Sequence, residues 1–350
     1  MRGPSAVAAA AMAILIVVCG VVWLDPTNVE AQTAGYHLES KVTLGGDGSW
    51  DYFDVDSTTH RVFIPRRTHM MIVDGAGKFL GDLPIMGSHG IAFAPEFNRA
   101  FSSDNEQQTV TIVDLTTLQI AGKAKLPNRN SDGILYDPAS KRLFTFNTDG
   151  GNDSTAIDAK TGKVIGSVPL GSKPESAQTT GTGRIYVNME EKNQIIEFDS
   201  TTLKVLNTWS IAPCKEPSGL AIDVDHKRLF AGCHNKLMAV IDYTDGKVVA
   251  TVPIGEGVDA NRFDPGTGLV FASCGDGTIT VAHEDSPDKY TVIQTISTQL
   301  GARTMAIDTR NHNVYTVTAT LGPPPPATPD NPEPRPTIIP NTFTMLIFSR

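Results

Sequence analysis

Short runs of alternating apolar and polar residues, separated by turn residues, follow one another from about residue 36 to the end of the chain. One unit contains four such runs, at residues 219–223, 228–232, 238–242 and 247–253. Alternation with a period of two predicts half-buried β-strands, and no stretch has the 3.6-residue period of an amphipathic helix. The pattern therefore predicts an all-β protein.

One sequence template recurs seven times along these strands. It consists of an Asp, four turn residues, usually an Arg, an apolar residue and an aromatic residue, as in 137–144 and 223–230. The terminal aromatic residues are spaced 38 to 44 residues apart, which is the period of a four-stranded propeller blade. We therefore predict a seven-bladed β-propeller whose copies end at Phe63, Phe101, Phe144, Tyr186, Phe230, Phe271 and Tyr315.

The two ends of the repeat predict how the ring closes. The last blade contains only three strands, at 304–308, 313–318 and 342–349, and the strand at 36–44 precedes the first blade without a partner. Pairing this N-terminal strand with the last blade would remove two exposed sheet edges at once. We expect it to be the outer strand of the seventh blade.

Short sequence motifs that recur at the ends of the third strands suggest a family. These strands end in Ile-Val-Asp at 72–74 and Val-Ile-Asp at 240–242, where the Asp side chain is expected to close the following turn. With the Gly-Lys-Val turns at 162–164 and 246–248, the chain resembles the YncE-like, or YVTN, β-propeller family over essentially its whole mature length. The resemblance implies a secreted or periplasmic propeller.

The same resemblance implies little about mechanism. Some members of the family are reported to bind DNA, and others are surface-layer or quinoprotein-like modules. The chain departs from the family pattern after its second strands, where Cys233 and Cys274 occupy the position that Asn147 fills more typically.

The N-terminal segment has the features of an export signal. Arg2 precedes an apolar run from 6 to 24, and Val29-Glu30-Ala31 is a small-x-small cleavage pattern. We expect a signal peptide at 1–31, a single propeller domain at 32–350, a periplasmic or secreted location, and no membrane span after cleavage. The run is also long enough for an uncleaved anchor, and Cys19 offers a lipoprotein alternative that Val18 disfavours.

The chain carries a net charge of −9. An acidic surface repels phosphate backbones at long range, so the charge argues against nucleic acid as the partner. We expect a monomer that binds a small molecule or an envelope protein.

Residues just before the inner strands should form a ring at one mouth of the central channel. Five residue types occupy this position in the seven blades, which is typical of a site rather than of turn geometry. The alternative is a polar ring that hydrates the channel. Aligning the inner strands on their last residues gives the ring as Asp51, His89, Asp132, Pro174, Ser218, Asp259 and Arg303, with Glu175 beside Pro174.

The ring residues suggest two kinds of chemistry. His89, Asp132 and Asp259 offer nitrogen and oxygen ligands for a divalent metal ion, and Arg303 could hold a substrate carboxylate. Loops on the same face add Arg66, Arg67 and His234 as candidates.

The three cysteines of the mature chain favour one disulfide. Cys214 precedes the inner strand of blade five and Cys233 follows its second strand, so the hairpin brings them to the same end. Cys233 and Cys274 share a register in adjacent blades, but neighbouring blades fan apart. We favour Cys214–Cys233, with Cys274 as a thiol.

A proline-rich segment at 319–341 interrupts the last blade. It contains nine prolines and should be extended. Its place in the repeat puts it on the mouth face, as a lid, a docking strip for a partner, or a flap over the strand ends.

These features leave three hypotheses about function. The first is an exported binding or scaffold protein that uses the channel mouth. The second is a metal-assisted enzyme of the lactonase or lyase type, with its site at the same mouth. The third and weakest is DNA binding, as in some relatives.

Overall fold

The computed structural model describes Met1, Gly3 and residues 35–127, 131–148, 151–328, 332 and 334–350. Residues 35–350 form one compact unit. Apart from Met1 and Gly3, the expected signal peptide lies outside the described residues, as do the anchor and lipoprotein alternatives. The described part of the chain holds no helix able to span a bilayer, since its two helices are three-residue 3-10 turns at Pro95–Phe97 and Glu190–Lys192.

The chain forms seven four-stranded antiparallel sheets, which confirms the predicted seven-bladed propeller. The first strand is β1 (His37–Thr43). Blades one to three contain β2 (Asp54–Asp56), β3 (Arg61–Pro65), β4 (Met70–Val73), β5 (Phe79–Leu83); β6 (Ser88–Ala94), β7 (Arg99–Asp104), β8 (Thr109–Asp114), β9 (Gln119–Lys125); and β10 (Ser131–Asp137), β11 (Arg142–Asn147), β12 (Asp153–Asp158), β13 (Val164–Pro169).

The remaining four blades repeat this order from the channel outward. Blades four to seven contain β14 (Pro174–Thr179), β15 (Arg184–Met189), β16 (Gln194–Asp199), β17 (Val205–Ser210); β18 (Pro217–Asp223), β19 (Arg228–Cys233), β20 (Leu237–Asp242), β21 (Lys247–Pro253); β22 (Val258–Asp264), β23 (Leu269–Cys274), β24 (Thr278–Ser286), β25 (Lys289–Ser297); and β26 (Met305–Asp308), β27 (Asn313–Thr318), β28 (Thr344–Ser349).

The N-terminal strand closes the ring as predicted. The seventh sheet has the order β1-β28-β27-β26, with β1 antiparallel to β28 from the pair His37↔Ser349 to the pair Thr43↔Thr344. Both termini of the propeller are therefore held in one sheet, and the last blade gains its fourth strand from the start of the chain.

The repeated aromatic residues form the core between blades. All seven, from Phe63 to Tyr315, are at most 2 % exposed. They contact side chains of the adjacent blade, as in the edge-to-face pair of Phe63 and Phe93, whose ring centroids are 5.3 Å apart. The template position that defines the repeat is thus the position that packs one blade on the next.

The repeated Arg of the template links neighbouring blades. Four of the five guanidinium groups donate to a carbonyl oxygen in the turn between the third and fourth strands of the following blade, whereas Arg184 lies near Glu197 and Asp199 of its own blade. The contacts are Arg61 to Leu115 at 2.9 Å, Arg99 to Ala159 at 2.9 Å, Arg142 to Ser200 at 2.7 Å and Arg228 to Pro287 at 2.8 Å.

The Asp residues that end the third strands close turns, which confirms the structural role expected for them. Asp114 accepts hydrogen bonds from the backbone N–H groups of Thr116 and Thr117, and Asp199 accepts them from Thr201 and Thr202. These carboxylates satisfy turn amides.

Candidate functional site

Irregular pairing at the start of the inner strands aims side chains into the channel mouth. In five blades the register between the first two strands shifts immediately after the first pair, which marks a β-bulge. Bulges redirect side chains and are frequent beside functional sites. The residues that follow the first pair are His89, Asp132, Glu175, Ser218 and Asp259.

Blade four departs from the alignment made on the sequence. Thr179 pairs with Ile185, and the N–H of Thr180 donates to the carbonyl oxygen of Arg184, so the turn is one residue tighter than in blade three. The inner strand therefore slides by one residue. The ring position belongs to Glu175, whose neighbour Pro174 makes the first pair of the strand.

The ring side chains contact one another in series. The imidazole of His89 lies between two carboxylates, with Nε2 3.3 Å from Asp51 Oδ2 and Nδ1 2.8 Å from Asp132 Oδ1. Arg303 also lies between two, with Nε 2.5 Å from Asp259 Oδ2 and Nη2 3.4 Å from Asp51 Oδ2. Asp51 thus contacts two cationic side chains. Acidic and basic residues alternate along this series of contacts, in the order Asp132, His89, Asp51, Arg303 and Asp259.

Ser218 lies behind this chain. Its hydroxyl donates to Asp259 Oδ1 at 3.2 Å, and its side chain is buried. It positions an acid of the ring and does not line the cavity described below.

The two carboxylates beside His89 determine the direction in which its pKa shifts. Burial disfavours the imidazolium ion, but Asp51 and Asp132 outweigh that cost and raise the pKa of His89 to about 9. Burial alone would raise the pKa of Asp132, yet the contact with His89 holds it below its usual value. At neutral pH the pair is an imidazolium and a carboxylate.

Two other acids of the ring have raised pKa values. Burial raises the pKa of Asp51 to about 6, despite the opposing effects of His89 and Arg303. Burial and then the charge of Asp132 raise the pKa of Glu175 to about 8, although Lys173 Nζ lies 2.6 Å from its Oε1. Perturbed acids gathered in one cavity are a common property of functional sites.

An open cavity of about 1100 Å³ occupies the mouth. Eight of the residues that the sequence nominated for ligand binding line it, whereas Pro174, Ser218 and Arg66 do not. The eight are Asp51, His89, Asp132, Glu175, Asp259, Arg303, Arg67 and His234.

The two loop residues lie toward the outer part of this cavity and are more exposed than the ring. Arg67 Nε lies 3.0 Å from Glu106 Oε1, and His234 Nδ1 lies 3.4 Å from Glu216 Oε2. The candidate Arg66 has a structural role instead. Its guanidinium is stacked 3.5 Å from the centre of the Phe343 ring and donates to the carbonyl oxygens of Gly45 and Gly48.

Sequence reasoning missed several contributors to the cavity, among them Lys173, Tyr52 and Arg335. Lys173 contacts both Glu175 and Glu190, and the hydroxyl of Tyr52 donates to Glu175 Oε2 at 2.8 Å. Arg335 comes from the proline-rich segment. Tyr52 and Lys173 each adjoin a nominated position in sequence, which was the available signal, whereas nothing local marks Arg335.

The channel continues below the mouth as a second cavity of about 350 Å³. Inner-strand residues line it, including Asp54 and Arg262, and Tyr52 lines both cavities. Tyr52 therefore marks the floor of the mouth.

The proline-rich segment forms one wall of the mouth. Its two described arms pair, since Leu321 and Ile338 form an antiparallel bridge and the N–H of Gly322 donates to the carbonyl oxygen of Thr337 at 2.8 Å. Leu321, Arg335, Pro336 and Ile338 line the cavity, while Pro323–326 are exposed. The arms stand at the rim of the site.

The cysteines are placed as one bonded pair and one thiol. The sulfur atoms of Cys214 and Cys233 are 2.01 Å apart, at the end of the β18–β19 hairpin. Cys274 is buried and has no disulfide partner within the described residues.

The three residues nominated for a metal are divided between two contacts. His89 and Asp132 are paired, but Asp259 is paired with Arg303 on the other side of Asp51. The described residues contain one cluster whose potential ligand atoms all lie within 4.8 Å of one another, and it consists of Asp223, His226 and Glu284, outside the mouth.

Comparisons with known proteins support the architecture. The fold is similar to a chain of Kuenenia stuttgartiensis hydrazine synthase, with a TM-score of 0.68 and 14 % identity over 79 % of this chain and 94 % of that chain. At that identity the likeness shows the fold alone. No curated protein matches the chain.

One family model matches the sequence itself. The model described as "Outer membrane protein assembly factor BamB" covers residues 106–320, which is more than half of the chain. The chain therefore belongs to the family of the outer membrane protein assembly factor BamB.

Proposed function

We propose that this protein is an exported binding protein that holds an extended peptide segment of an envelope protein at its channel mouth. One observation carries the proposal. In a scaffold built from seven copies of one template, the positions that differ between copies converge on a single open cavity of about 1100 Å³.

The dimensions and lining of the cavity favour a peptide over a compact small molecule. Sites for small molecules usually occupy about 300–1000 Å³ and are mostly apolar. This mouth is larger and presents charges of both signs beside Trp50 and Tyr52. Such a surface offers hydrogen bonds to a peptide backbone and the partly exposed ring of Tyr52 to its side chains.

The family supports a protein partner and a location. Its description names a factor in the assembly of outer membrane proteins, so we place this chain in the periplasm, after removal of the expected signal peptide at 1–31. Membership of the narrower YncE-like group is part of the proposal. It rests on the Ile-Val-Asp and Val-Ile-Asp motifs at the strand ends and on the Gly-Lys-Val turns. The acidic balance gives a nucleic acid backbone little to bind.

Site-specific photo-crosslinking tests the partner. A benzophenone amino acid replaces Glu191, an exposed residue of the cavity wall, and a matched variant carries it at Arg310 on the opposite face. In periplasm, we expect a discrete crosslinked protein from position 191 and none from position 310. Equal yields from the two positions, or none from either, contradict docking at the mouth.

A charge reversal measures the contribution of the mouth. Arg335 is exposed and lines the cavity, so Arg335→Glu should preserve the fold and weaken binding of the crosslinked partner about tenfold. Arg310→Glu makes the same change on the opposite face and should leave affinity within twofold. Equal effects of the two substitutions would show a non-specific charge effect.

An enzyme is the second candidate, because Glu175 and Asp51 have pKa values raised to about 8 and 6 and lie beside His89 in one cavity. Such groups exchange protons near neutral pH. The metal-assisted lactonase or lyase version requires a divalent ion to replace the cations that already contact Asp132 and Asp259. Turnover of a lactone or an anionic substrate, lost in Glu175→Gln, would favour this candidate over the binding protein.

A further inference from the structure

A cluster of three metal-ligand side chains lies on the face opposite the mouth. Asp223 ends the inner strand of blade five, His226 is in the turn that follows, and Glu284 comes from the third strand of blade six. His226 Nδ1 is 2.8 Å from Asp223 Oδ2 and 3.1 Å from Glu284 Oε1. The cluster joins two blades far from the proposed partner site.

Glu284, the residue that blade six contributes to the cluster, departs from the residue types found at the same position of the repeat in other blades. Its N–H donates to the carbonyl oxygen of Gly268, and the equivalent backbone bond in blades two to five is made by neutral residues. The residues in that position are Leu115, Ala159, Ser200 and Tyr243. Blade six alone of these five places a carboxylate there.

Blade four shows what a hydroxyl residue at this position does for the preceding blade. The hydroxyl of Ser200 donates at 2.7 Å to Asp137, the inner-strand Asp of blade three. Glu284 faces Asp223, the inner-strand Asp of blade five, in the same relation. An ionised carboxylate has no proton to donate, so the exchange of Ser for Glu turns a hydrogen bond into a pair of facing acids.

These two acids are buried, since each side chain is only 3 % exposed. Two carboxylates this close are stabilised by a shared proton or by a cation between them, and His226 Nδ1 lies within hydrogen-bond distance of both. The guanidinium of Arg228, two residues after His226, pairs instead with Asp242 at 2.9 Å and with Asp288 at 2.6 Å.

We propose that Asp223, His226 and Glu284 bind a divalent metal ion of the zinc class, which fastens blade five to blade six. One imidazole nitrogen and two carboxylate oxygens are ligands that zinc accepts, and the exposed side of His226 leaves the fourth position to water.

The apo geometry is close to that of a bound ion. Ligand atoms of a tetrahedral zinc site lie about 3.3 Å apart. The two separations from His226 Nδ1, of 2.8 and 3.1 Å, need to open by only about 0.5 Å or less. The other oxygen of Asp223 is already fixed by the N–H groups of Asp225 and His226, and the hydroxyl of Tyr290 lies 3.2 Å from Glu284 Oε1. Such outer contacts orient ligands before the metal arrives.

Zinc titration of the tag-free, metal-stripped protein tests the site. We expect one zinc ion per chain by elemental analysis after dialysis, and a rise in Tm of about 5 °C at saturating zinc. Both should be lost in His226→Ala and in Glu284→Ser, which installs the residue of blade four and so supplies a hydroxyl donor for Asp223 in place of a second acid.

Two control variants separate this site from the rest of the protein. His283→Ala removes an exposed imidazole next to Glu284, and His89→Gln removes the imidazole of the mouth. Both controls should retain the zinc-induced rise in Tm. No bound zinc in the wild-type protein, or binding that persists in Glu284→Ser, overturns the proposal.

Discussion

The two faces of the propeller use the same template in opposite ways. On the mouth face, the ring position holds five residue types in seven blades, from Asp51 to Arg303, and several of these side chains contact one another. On the opposite face, five blades hold Arg at one equivalent position, and four of these side chains donate to the next blade, as Arg99 and Arg142 do. Residues that repeat maintain the ring of blades, and residues that vary build the candidate site.

The proposed metal site sharpens this comparison. It lies on the repetitive face, at the point where Glu284 replaces the small or neutral residues of other blades. Variation within a repeat therefore marks candidate chemistry on either face.

The largest expected effect comes from removing a buried acid of the repetitive face. Asp137 accepts hydrogen bonds from the hydroxyl groups of Ser140, Thr179 and Ser200, each at 2.7 Å, and so joins blades three and four. Asp137→Ala leaves these donors unpaired and should lower the free energy of unfolding by about 3–4 kcal/mol. Urea denaturation measures the change.

The control is the exposed turn acid of the same blade. Asp158 accepts from the N–H of Thr161, and Asp158→Ala should cost about 1 kcal/mol or less. If the two substitutions cost the same, the buried acid does not join the blades.

Sequence periodicity predicted most of the fold because burial repeats with the template. The aromatic positions and the unpaired strand at each end fixed the number of blades and the closure of the ring, which depend only on which faces must be buried. The register of blade four was not predictable in this way, since a turn tightened by one residue at Thr180 leaves the template spacing unchanged.

The candidate site was predictable in its membership but not in its contacts. Its residues could be nominated because they share one position of the repeat. Their pairing depends on side-chain reach across the channel, so the sequence could not show that Asp259 contacts Arg303 and not His89. Arg335 and Glu284 come from departures from the repeat, for which the template provides no alignment.

The second largest expected effect is a pH dependence of folding stability, which arises from His89 at the channel mouth. The pKa of His89 is raised from 6.5 to about 9, so the folded protein binds its proton more tightly than the unfolded chain does. The resulting stabilisation is complete below pH 6.5 and is lost as the pH rises through 9. Its full size is about 3 kcal/mol at most.

Thermal unfolding between pH 6 and 10 measures this dependence in the wild-type protein and in His89→Gln. The raised pKa of Glu175 also lowers stability as the pH rises, because ionisation is disfavoured in the folded state, and this contribution remains in the variant. Between pH 6.5 and 9, we therefore expect the Tm of the variant to fall by less than the Tm of the wild type. Parallel curves would show that the proton of His89 is not held by Asp51 and Asp132.

The smallest expected effect comes from a single link between blades. Arg99 donates to the carbonyl oxygens of Ala159 at 2.9 Å and Lys160 at 2.6 Å, in an exposed turn of blade three. Arg99→Ala removes hydrogen bonds that water can partly replace, so the free energy of unfolding should fall by about 1 kcal/mol. Arg310→Ala, an exposed arginine on the same face, should change it by less than about 0.5 kcal/mol in the same urea titration. Arg99→Lys supplies a charge without the planar fork that reaches two carbonyls, so partial recovery would assign the effect to the hydrogen bonds, and full recovery would assign it to charge alone.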